Sequence, residues 1–431
     1  MITVYKLLYI VLDGLGDRPC PELGGKTPLE AADTPYMDGL AKSGKSGIVD
    51  TVGPGIAPES DIAVISILGY EAEKYYTGRG PLECFASGID LKPGDLAFRV
   101  NFATMDEDRR LVDRRAGRDL STEEAKLLAE EVNSKVKLTS YPAIFKFIST
   151  VEHRGVLWIR CLDGPLSANI TNTDPAYDKV GYFGVAKEKF EPYLQVCQPL
   201  DSSIEAKRAA DLTNEFVQKS HLVLNESEVN RKRKSQGKMI GNVILTRDAG
   251  DRLPEFPDIK NLFGLRFGCF AEMPVEMGIA MLTGMEIVEL PTPTGNPEID
   301  YPLRAEKAIQ SLNKFDALYI HLKGPDVPGH DGKALEKRDS ISNIDKYFFG
   351  NLLPKIDLSN VVITVTADHS TPCTLKAHSD DPVPLIVSGD KISSDGTTQY
   401  SEKECAKGSL GRLLGHQLMP LFVKLVSEGY L

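Results

Sequence analysis

The chain has 431 residues, 42% of them hydrophobic and 26% charged, which is the composition of a globular protein long enough to form two domains. Its net charge of −11 argues against a general nucleic-acid-binding protein, because such a protein needs a basic surface. The seven cysteines are scattered without a Cys-x-x-Cys pair, so we expect free thiols in a reducing cytoplasm. We find neither a signal peptide nor an apolar run of the ~20 residues that a membrane span requires. We therefore expect a cytoplasmic protein without a membrane partner.

The first predicted element is a buried strand over residues 5–12, and Asp13 and Gly14 follow it directly. A carboxylate at a strand end followed by glycine allows the backbone to turn sharply beside a ligand. An ordinary Asp-Gly turn explains the same residues, and for this motif taken alone it is the simpler interpretation. An amphipathic helix then follows to about residue 42.

The next chemical feature is Ser60, which follows a loop rich in glycine and proline and lies near the first residue of a predicted helix. One interpretation is a capping hydroxyl, since serine is a preferred N-cap residue. The other is a hydroxyl that faces a phosphate bound at the helix N-terminus. Serine attacks phosphorus well only when its proton is removed or a metal lowers its pKa, so the isolated motif favours the cap.

The middle of the chain has a different pattern. After a linker-like stretch at residues 90–95 we predict a hairpin, a helix opened by a capping box at Ser121, strands over 144–151 and 155–161, and a helix over 202–220. These elements predict a second domain of the α+β class. Guanidinium groups suit carboxylate and phosphate ligands, although most surface arginines only aid solubility. The arginines near strand ends or loops of this domain are Arg114, Arg115, Arg118, Arg154, Arg160 and Arg247.

From about residue 263 the earlier alternation of strands and helices resumes. The predicted elements are strands over 265–271, 315–322, 361–366 and 380–388, and helices over 275–282, 301–312, 337–349 and 411–427. Asp326 and His330 come just after one of these strands. Asp368 and His369 come just after another, and His378 lies in the loop beyond.

The residues at these strand ends share one kind of chemistry. A capping carboxylate and a surface histidine explain any single Asp-His pair equally well. Because the carboxyl ends of parallel strands lie along one edge of a sheet, however, we expect all these side chains to meet there. Two divalent ions ~3.5–4 Å apart would clamp the attacking and leaving oxygens of a phosphoryl transfer. The candidate ligands are Asp13, Ser60, Asp326, His330, Asp368, His369 and His378.

Several motifs resemble the alkaline phosphatase superfamily. They are Asp13-Gly14, Pro58-Glu59-Ser60-Asp61, Gly324-Pro325-Asp326 with His330-Asp331-Gly332, Ala367-Asp368-His369-Ser370-Thr371-Pro372, and His378-Ser379 with Pro382-Val383-Pro384. Within that superfamily the chain is most similar to the archaeal-type cofactor-independent (2,3-bisphosphoglycerate-independent) phosphoglycerate mutases, and residues 112–118 and 166–175 resemble their inserted substrate domain. The resemblance implies an α/β fold, with a mostly parallel sheet flanked by helices and a smaller inserted α+β domain. The implied metal-binding domain spans residues 1–92 and 261–431, and the implied substrate-binding or lid domain spans 93–260.

The same resemblance implies roles for individual residues. Asp326, His330 and His378 would hold one ion, and Asp13, Ser60, Asp368 and His369 the other, with Ser60 as the phosphorylated nucleophile. The candidates for substrate contacts are Arg118, Arg154, Arg160, Arg247 and Lys323. The implied cofactors are two divalent metal ions, with Mn²⁺ as the first candidate and Mg²⁺, Co²⁺ and Zn²⁺ as alternatives, and no 2,3-bisphosphoglycerate. One departure is Met277-Gly278, where we expect many relatives to have Lys-Gly.

The implied function is an isomerase of glycolysis and gluconeogenesis. It would interconvert 2-phosphoglycerate and 3-phosphoglycerate through a phosphoserine, while the inserted domain closes as a lid that excludes water. The expected partner is this small substrate. The oligomeric state is left open, with a homo-oligomer as one alternative. The alternatives are a metal-dependent phosphatase or phosphosugar mutase of the same superfamily, and a non-catalytic binding protein that kept the fold.

Overall fold

The computed structural model describes residues 5–180, 183–187 and 189–428. The chain forms two compact units, Met1–Tyr75 with Phe256–Leu431 and Tyr76–Glu255. The first boundary between these units follows Tyr75, because the helix at Arg79–Ala86 packs against the sheet of the second unit. A Cβ on Gly80 of this helix would lie only 2.4 Å from the Ala97 carbonyl oxygen. The second boundary falls between Glu255 and Phe256.

The strands are given in chain order. They are β1 (Lys6–Leu12), β2 (Lys45–Asp50), β3 (Leu96–Met105), β4 (Leu111–Asp113), β5 (Ala143–Ser149), β6 (Arg154–Cys161), β7 (Tyr177–Val180), β8 (Phe183–Ala186), β9 (Val243–Gly250), β10 (Phe267–Phe270), β11 (Glu286–Ile287), β12 (Ala317–Leu322), β13 (Val361–Thr366), β14 (Val383–Ser388) and β15 (Gly411–Leu414).

The helices are likewise given in chain order. They are α1 (Pro28–Ala31), α2 (Pro35–Ser43), α3 (Ser60–Ile67), α4 (Ala72–Tyr75), α5 (Arg79–Ala86), α6 (Thr122–Lys135), α7 (Ile204–Asn225), α8 (Glu228–Ser235), α9 (Ile259–Phe263), α10 (Pro274–Leu282), α11 (Pro297–Ser311), α12 (Asp326–Asp331), α13 (Ala334–Asn343), α14 (Gly350–Leu352), α15 (Glu402–Cys405) and α16 (Leu418–Glu428). A π-helical segment, Ile344–Phe349, joins α13 to α14. Within the described part of the chain, we find no helix with the length and hydropathy needed to cross a bilayer.

The first unit contains an eight-stranded sheet in the order β11-β10-β12-β1-β13-β14-β2-β15. Only β14 runs antiparallel to its neighbours. The central strand β1 is covered on both faces, which explains why it reads as a continuous apolar run without alternation. Leu12 pairs with Leu322, and Val11 pairs with Thr366. The carboxyl ends of β1, β12 and β13 therefore emerge together at one edge of the sheet.

The second unit is built on an antiparallel sheet in which β3 pairs with β4, β6 and β9. Alternate residues of β3, Leu96, Phe98 and Phe102 among them, belong to the hydrophobic core that α6 and α7 complete. Ala97 belongs to a smaller apolar cluster with Cys84 of α5. Over residues 96–102 of β3, odd-numbered side chains therefore face α5, and even-numbered side chains face α6 and α7.

The predicted fold class is confirmed, with a large mostly parallel sheet in one unit and a smaller α+β unit inserted between its segments. The capping box at Ser121 is present at the start of α6. The seven cysteines are free and buried, as expected. The predicted helix over 411–427 is wrong in its first part, because Gly411–Leu414 forms β15 and pairs in parallel with β2. The unpaired backbone groups along β2 accept this segment, and that pairing outweighs the local preference.

Candidate active site

A first group of ligand-type atoms forms around Asp326, the first residue of α12. His330 lies one turn later in the same helix, and its Nε2 is 3.5 Å from Asp326 Oδ1. His378 Nε2 is 3.6 Å from the same oxygen, and the Nε2 atoms of His330 and His378 are 3.1 Å apart. The i, i+4 spacing in α12 explains why Asp326 and His330 share one face. The structure therefore brings together the three residues predicted for one metal ion.

The second nitrogen of each ring fixes the tautomer in this group. His330 Nδ1 lies 3.2 Å from the carbonyl oxygen of Lys376, and His378 Nδ1 lies 2.8 Å from that of Pro58. A carbonyl oxygen only accepts, so Nδ1 donates in both rings and Nε2 of the neutral imidazoles is left as an acceptor. Together with Asp326 these atoms present three acceptors to one point. This is the donor set that a divalent cation binds.

A proton can compete with a cation for this place. Burial lowers the pKa of His378, but the hydrogen bond with Asp326 outweighs burial and raises the pKa to about 10. Burial raises the pKa of Asp326, and its three histidine neighbours outweigh that effect and hold it well below its usual value. Metal binding at such a site releases protons, because each ligand must be deprotonated.

A second group of ligand-type atoms lies around Asp13 and Asp368. His369 Nε2 is 3.6 Å from Asp13 Oδ1 and 3.3 Å from Asp368 Oδ2. These two carboxylate oxygens are buried and have no hydrogen-bond partner within the described residues. Buried carboxylate oxygens are costly when nothing satisfies them, so these residues fit a cation. The two groups adjoin, because ligand atoms of Asp13, Asp326 and His369 all lie within 4.8 Å of one another.

Ser60 belongs to the second group. It is the first residue of α3, whose N-cap is Glu59, so Ser60 does not act as the capping hydroxyl. Its Oγ lies 3.1 Å from His369 Nε2. His369 Nδ1 lies 3.1 Å from Thr371 Oγ1, and Thr371 in turn donates to Asp326 at 2.7 Å. Thr371 therefore accepts from Nδ1, which leaves Nε2 of neutral His369 as an acceptor facing the Ser60 hydroxyl.

Burial and neighbouring charges shift the pKa values of the residues in this second group. Burial raises the pKa of Asp13 to about 7, and Asp368 and Asp326 add to the increase while Lys323 opposes it. Burial lowers the pKa of His369 to about 4, so the ring is neutral at pH 7, the form in which imidazole binds metals. Burial also raises the pKa of Asp368, but His369 and His321 outweigh burial and hold it well below its usual value.

Lys337 fixes the loops that carry these ligands. It is fully buried on α13 and donates to the Gly16 carbonyl at 3.0 Å, to Asp17 Oδ2 at 2.8 Å and to the Thr371 carbonyl at 2.9 Å. All three ammonium protons are thus used to tie the loop after β1 to the loop after β13. Gly14 permits the close approach of α12, since a Cβ there would lie 2.7 Å from the Asp326 side chain.

Sequence reasoning missed two buried residues beside this group, His321 and Glu276. His321 Nε2 lies 3.5 Å from Asp368 Oδ2, and Lys323 Nζ lies 3.1 Å from Asp13 Oδ2. Lys323, predicted as a substrate contact, also donates to Glu276 at 2.5 Å. A histidine inside the apolar strand β12 was the available signal for His321. Glu276 gave no signal, because it reads as an ordinary first-turn residue of α10.

The second unit carries a cluster of arginines on the α5 face of its sheet. Arg99 of β3 lies directly opposite Arg247 of β9, where an irregularity in the pairing coincides with a positive φ of 56° at Asp248. Arg154 of β6 pairs with Asn101 and so belongs to the same face. Arg79 of α5 donates to Glu83 at 2.6 Å, and Arg99 lies 3.6 Å from that carboxylate. We call Arg79, Arg99, Arg154 and Arg247 the arginine cluster.

The arginine cluster is rich in positive charge, with Arg79 and Arg247 buried and Arg99 and Arg154 half-buried. Burial, Arg79 and Arg247 together lower the pKa of Arg99 to about 10. The Nε atoms of Arg99 and Arg247 are buried without a hydrogen-bond partner in the described part of the chain. The guanidinium of Arg247 stacks on the Tyr177 ring at 4.1 Å. Buried donors with excess positive charge are the features of a site for a phosphate or carboxylate ligand.

The remaining predicted arginines lie in different surroundings. Arg160 forms a two-point ion pair with Asp95, at 2.7 Å for each contact, and stacks on Trp158. Arg118 is exposed and has a positive φ of 56°. Its charge helps to lower the pKa of His153 to about 3, after the larger effect of burial. The structure thus brings Arg154 and Arg247 together, leaves Arg118 near His153, and pairs Arg160 with an acid.

Comparison with known proteins places these sites in a family. The sequence profile of the 2,3-bisphosphoglycerate-independent phosphoglycerate mutases matches residues 41–230. The mutase of that name from Aeropyrum pernix is 41% identical over 428 residues, which cover 98% of this chain and 100% of the relative. The one from Thermococcus kodakarensis is 40% identical over 427 residues, or 98% of each chain.

Solved structures agree with the sequence comparison. The cofactor-independent phosphoglycerate mutase from Thermoplasma acidophilum has a TM-score of 0.61 and 30% identity, with 98% of this chain and 100% of that chain covered. The structure of the PH0037 protein from Pyrococcus horikoshii has a TM-score of 0.77 and 32% identity, with 98% and 97% covered. Identity at this level over nearly the whole length shows common descent, and the chain belongs to the 2,3-bisphosphoglycerate-independent phosphoglycerate mutase family.

Proposed function

We propose that this protein interconverts 2-phosphoglycerate and 3-phosphoglycerate through a phosphoserine at Ser60. The observation that carries the proposal is the position of the Ser60 hydroxyl, 3.1 Å from His369 Nε2. Nearby, the buried oxygens Asp13 Oδ1 and Asp368 Oδ2 have no hydrogen-bond partner among the described residues. Family membership supports the substrate pair, and the donor set supports the chemistry. The role in glycolysis and gluconeogenesis follows from the same assignment.

Two divalent cations complete the proposed site. Asp326, His330 and His378 would hold one, and Asp13, Ser60, Asp368 and His369 would hold the other. When bound, such ions supply Lewis-acid stabilisation of charge on the transferring phosphoryl group and lower the pKa of a serine hydroxyl. Mn²⁺ is the first candidate because the family resemblance implies it, and Mg²⁺, Co²⁺ and Zn²⁺ are alternatives for the same test. Carboxylate ligands suit Mn²⁺ and Mg²⁺, whereas imidazole ligands suit Zn²⁺.

Ser60 is the group that changes covalently. Its Oγ forms a bond to phosphorus while the bond between phosphorus and one glycerate oxygen breaks. The proton that Ser60 loses ends on that glycerate oxygen, so the step needs no net proton. In the second step the oxygen of the other glycerate hydroxyl forms a bond to phosphorus while the bond between phosphorus and Ser60 Oγ breaks. The proton of that hydroxyl ends on Ser60, so this step also needs no net proton. The positive end of the α3 helix dipole lies at Ser60 and stabilises the negative charge that surrounds phosphorus in both steps.

The arginine cluster is the proposed site for the anionic groups of the substrate. Arg154 and Arg247 are proposed in the role predicted for them, and Arg99 joins them because it lies on the same face of the sheet. Arg79 of α5 joins them because it contacts Glu83, as Arg99 does. Fork-shaped guanidinium groups bind carboxylate and phosphate through paired hydrogen bonds. Arg118, Arg160 and Lys323 stay candidates for substrate contacts, and the Arg160 variant described below compares one of them with the cluster.

The test is Ser60→Ala assayed with 3-phosphoglycerate, Mn²⁺ and coupling to enolase, with free phosphate measured in parallel. We expect the mutase rate to fall at least about 10⁴-fold, because the nucleophile is gone. Mass spectrometry of the wild type mixed with substrate should find phosphate on the peptide that contains Ser60.

The matched control is Ser66→Ala in the same helix, which should keep the rate within about threefold of the wild type. Normal turnover by Ser60→Ala would contradict the phosphoserine route. Release of free phosphate without 2-phosphoglycerate would instead identify a phosphatase.

A further inference from the structure

Glu276 is a buried carboxylate that the proposed chemistry does not use. It lies on α10, is 2% exposed, and approaches two side chains of cationic type. Its Oε1 accepts from Lys323 Nζ at 2.5 Å and lies 3.6 Å from His321 Nδ1. Its Oε2 accepts the backbone N–H of Met273 at 3.4 Å. A carboxylate removed from water is costly, so its retention here requires a partner that it stabilises.

Both partners of Glu276 face the second group of ligand atoms on their other side. Lys323 Nζ lies 3.1 Å from Asp13 Oδ2. His321 Nε2 lies 3.5 Å from Asp368 Oδ2 and 3.9 Å from Asp13 Oδ1. Glu276 is therefore separated from the ligand carboxylates by one side chain in each direction.

Of the two partners, Lys323 is the one that can compete with a cation for the ligand carboxylates. Its ammonium is a compact charge on a flexible chain, and Asp13 and Asp368 are the next anions within its surroundings. An ammonium drawn fully onto these carboxylates would compete with a divalent cation for them. The short contact with Glu276 holds the ammonium at the outer oxygen of Asp13, Oδ2, and leaves the inner oxygen, Oδ1, to face His369.

We propose that Glu276 is a positioning residue that restrains Lys323 and His321 and so keeps the second ligand group open for a divalent cation. The inference rests on the two-cation site of the proposed function. It goes beyond that function because the affinity of the second ligand group for its cation would depend on Glu276, which contacts neither the cation nor the substrate. Partners of metal ligands typically change affinity about 10–100-fold when they are substituted.

The experiment is a Mn²⁺ titration of the metal-free full-length protein at constant pH, with free Mn²⁺ followed by electron paramagnetic resonance. We expect the wild type to bind two ions per chain. In Glu276→Gln, which keeps the size of the side chain, one affinity should fall about 10–100-fold while the other stays within about threefold. The ion that keeps its affinity should be lost on adding Asp326→Ala, because that ligand belongs to the first group.

Two further variants separate restraint of Lys323 from a general packing defect. Asp345→Asn is the matched control, since Asp345 is buried in the same unit and accepts the backbone N–H groups of Tyr36 and Met37 at the start of α2. It should lower thermal stability and leave both Mn²⁺ affinities unchanged. Lys323→Met removes the ammonium, and in that background Glu276→Gln should have less than about threefold further effect on Mn²⁺ affinity.

The outcomes are distinct. The assignment of Glu276 would be overturned if Glu276→Gln bound two Mn²⁺ ions with wild-type affinity, or if it lost affinity equally at both sites. It would also be overturned if the effects of Glu276→Gln and Lys323→Met on Mn²⁺ affinity were additive. A wild type that binds no Mn²⁺ would instead overturn the proposed two-cation site itself. The two failures are therefore distinguishable in the same titration.

Discussion

The two units of this protein bring together charged side chains of opposite sign. In the first, ligand-type atoms of Asp13, Asp326 and Asp368 converge with those of histidines, and one buried oxygen each of Asp13 and Asp368 has no hydrogen-bond partner among the described residues. In the second, Arg79 and Arg99 approach Glu83, and the Nε atoms of Arg99 and Arg247 are buried with no hydrogen-bond partner in the described part of the chain. In the proposed function, the first unit therefore receives cations and the second receives anions. A phosphoryl transfer on a small acid needs both kinds of site.

In each unit, neighbouring side chains of opposite sign offset part of this charge. Beside the cation site, Lys323 and His321 stand against Asp13 and Asp368, and Glu276 holds them there. Beside the arginine cluster, Glu83 is the shared acid, and the attraction of Arg79 and Arg99 outweighs burial and lowers its pKa. Each site is partly neutralised by fixed side chains, and the charge that remains is the part available to a ligand.

The largest expected effect comes from the first unit. Asp326→Ala removes the carboxylate shared by His330 and His378, so one Mn²⁺ per chain should be lost. We expect the mutase rate to fall about 10³-fold or more, since a bound metal supplies several kcal/mol of stabilisation to the transition state. Metal content by atomic emission and the coupled assay measure both effects. Unchanged metal content with a normal rate would remove this group from the proposed site.

A smaller effect is expected in the second unit, and there it should fall on substrate binding. Arg247→Gln removes a buried guanidinium with an unpartnered Nε, and KM should rise about 10–100-fold while kcat changes much less. Arg160→Gln is the matched comparison, because Arg160 is already paired with Asp95. Its KM should change less than that of Arg247→Gln. Equal effects of the two variants would show that the arginine cluster is not the dominant anion site.

The smallest effects concern stability, and they contrast two kinds of buried arginine. Arg233 of α8 is fully buried, and its guanidinium is held by Asp119, by Glu124 at 2.7 Å and by the Met239 carbonyl at 2.8 Å. Arg233→Met should therefore lower the free energy of unfolding by about 2–3 kcal/mol. Arg99→Met relieves repulsion from Arg79 and Arg247, so it should change stability by less than about 1 kcal/mol or increase it. Urea unfolding of both variants gives the comparison, and an equal loss in both would mean that Arg99 is structural.

Local pattern was sufficient for the residues that carry the chemistry of the first unit. Asp13, Asp326 and Asp368 follow apolar runs that form β1, β12 and β13, and the carboxyl ends of parallel strands necessarily lie at one edge. The capping box at Ser121 was equally local. The seven predicted metal-site residues lie within two adjoining groups for this reason, and their binding of ions is the proposal that the titration tests.

The sequence by itself determined the fold class, many of the strands and helices, and the ligand-type residues at the strand ends, because periodicity and turn residues act over a few neighbours. Tertiary structure alone decided that Gly411–Leu414 pairs with β2, that Glu276 stands behind Lys323, and that Arg99 lies opposite Arg247. These relations depend on strand register, on one irregular pairing in β9 and on helix packing between residues far apart along the chain. Contacts of that kind are selected by the burial and charge of the whole unit, and no local window of residues contains them.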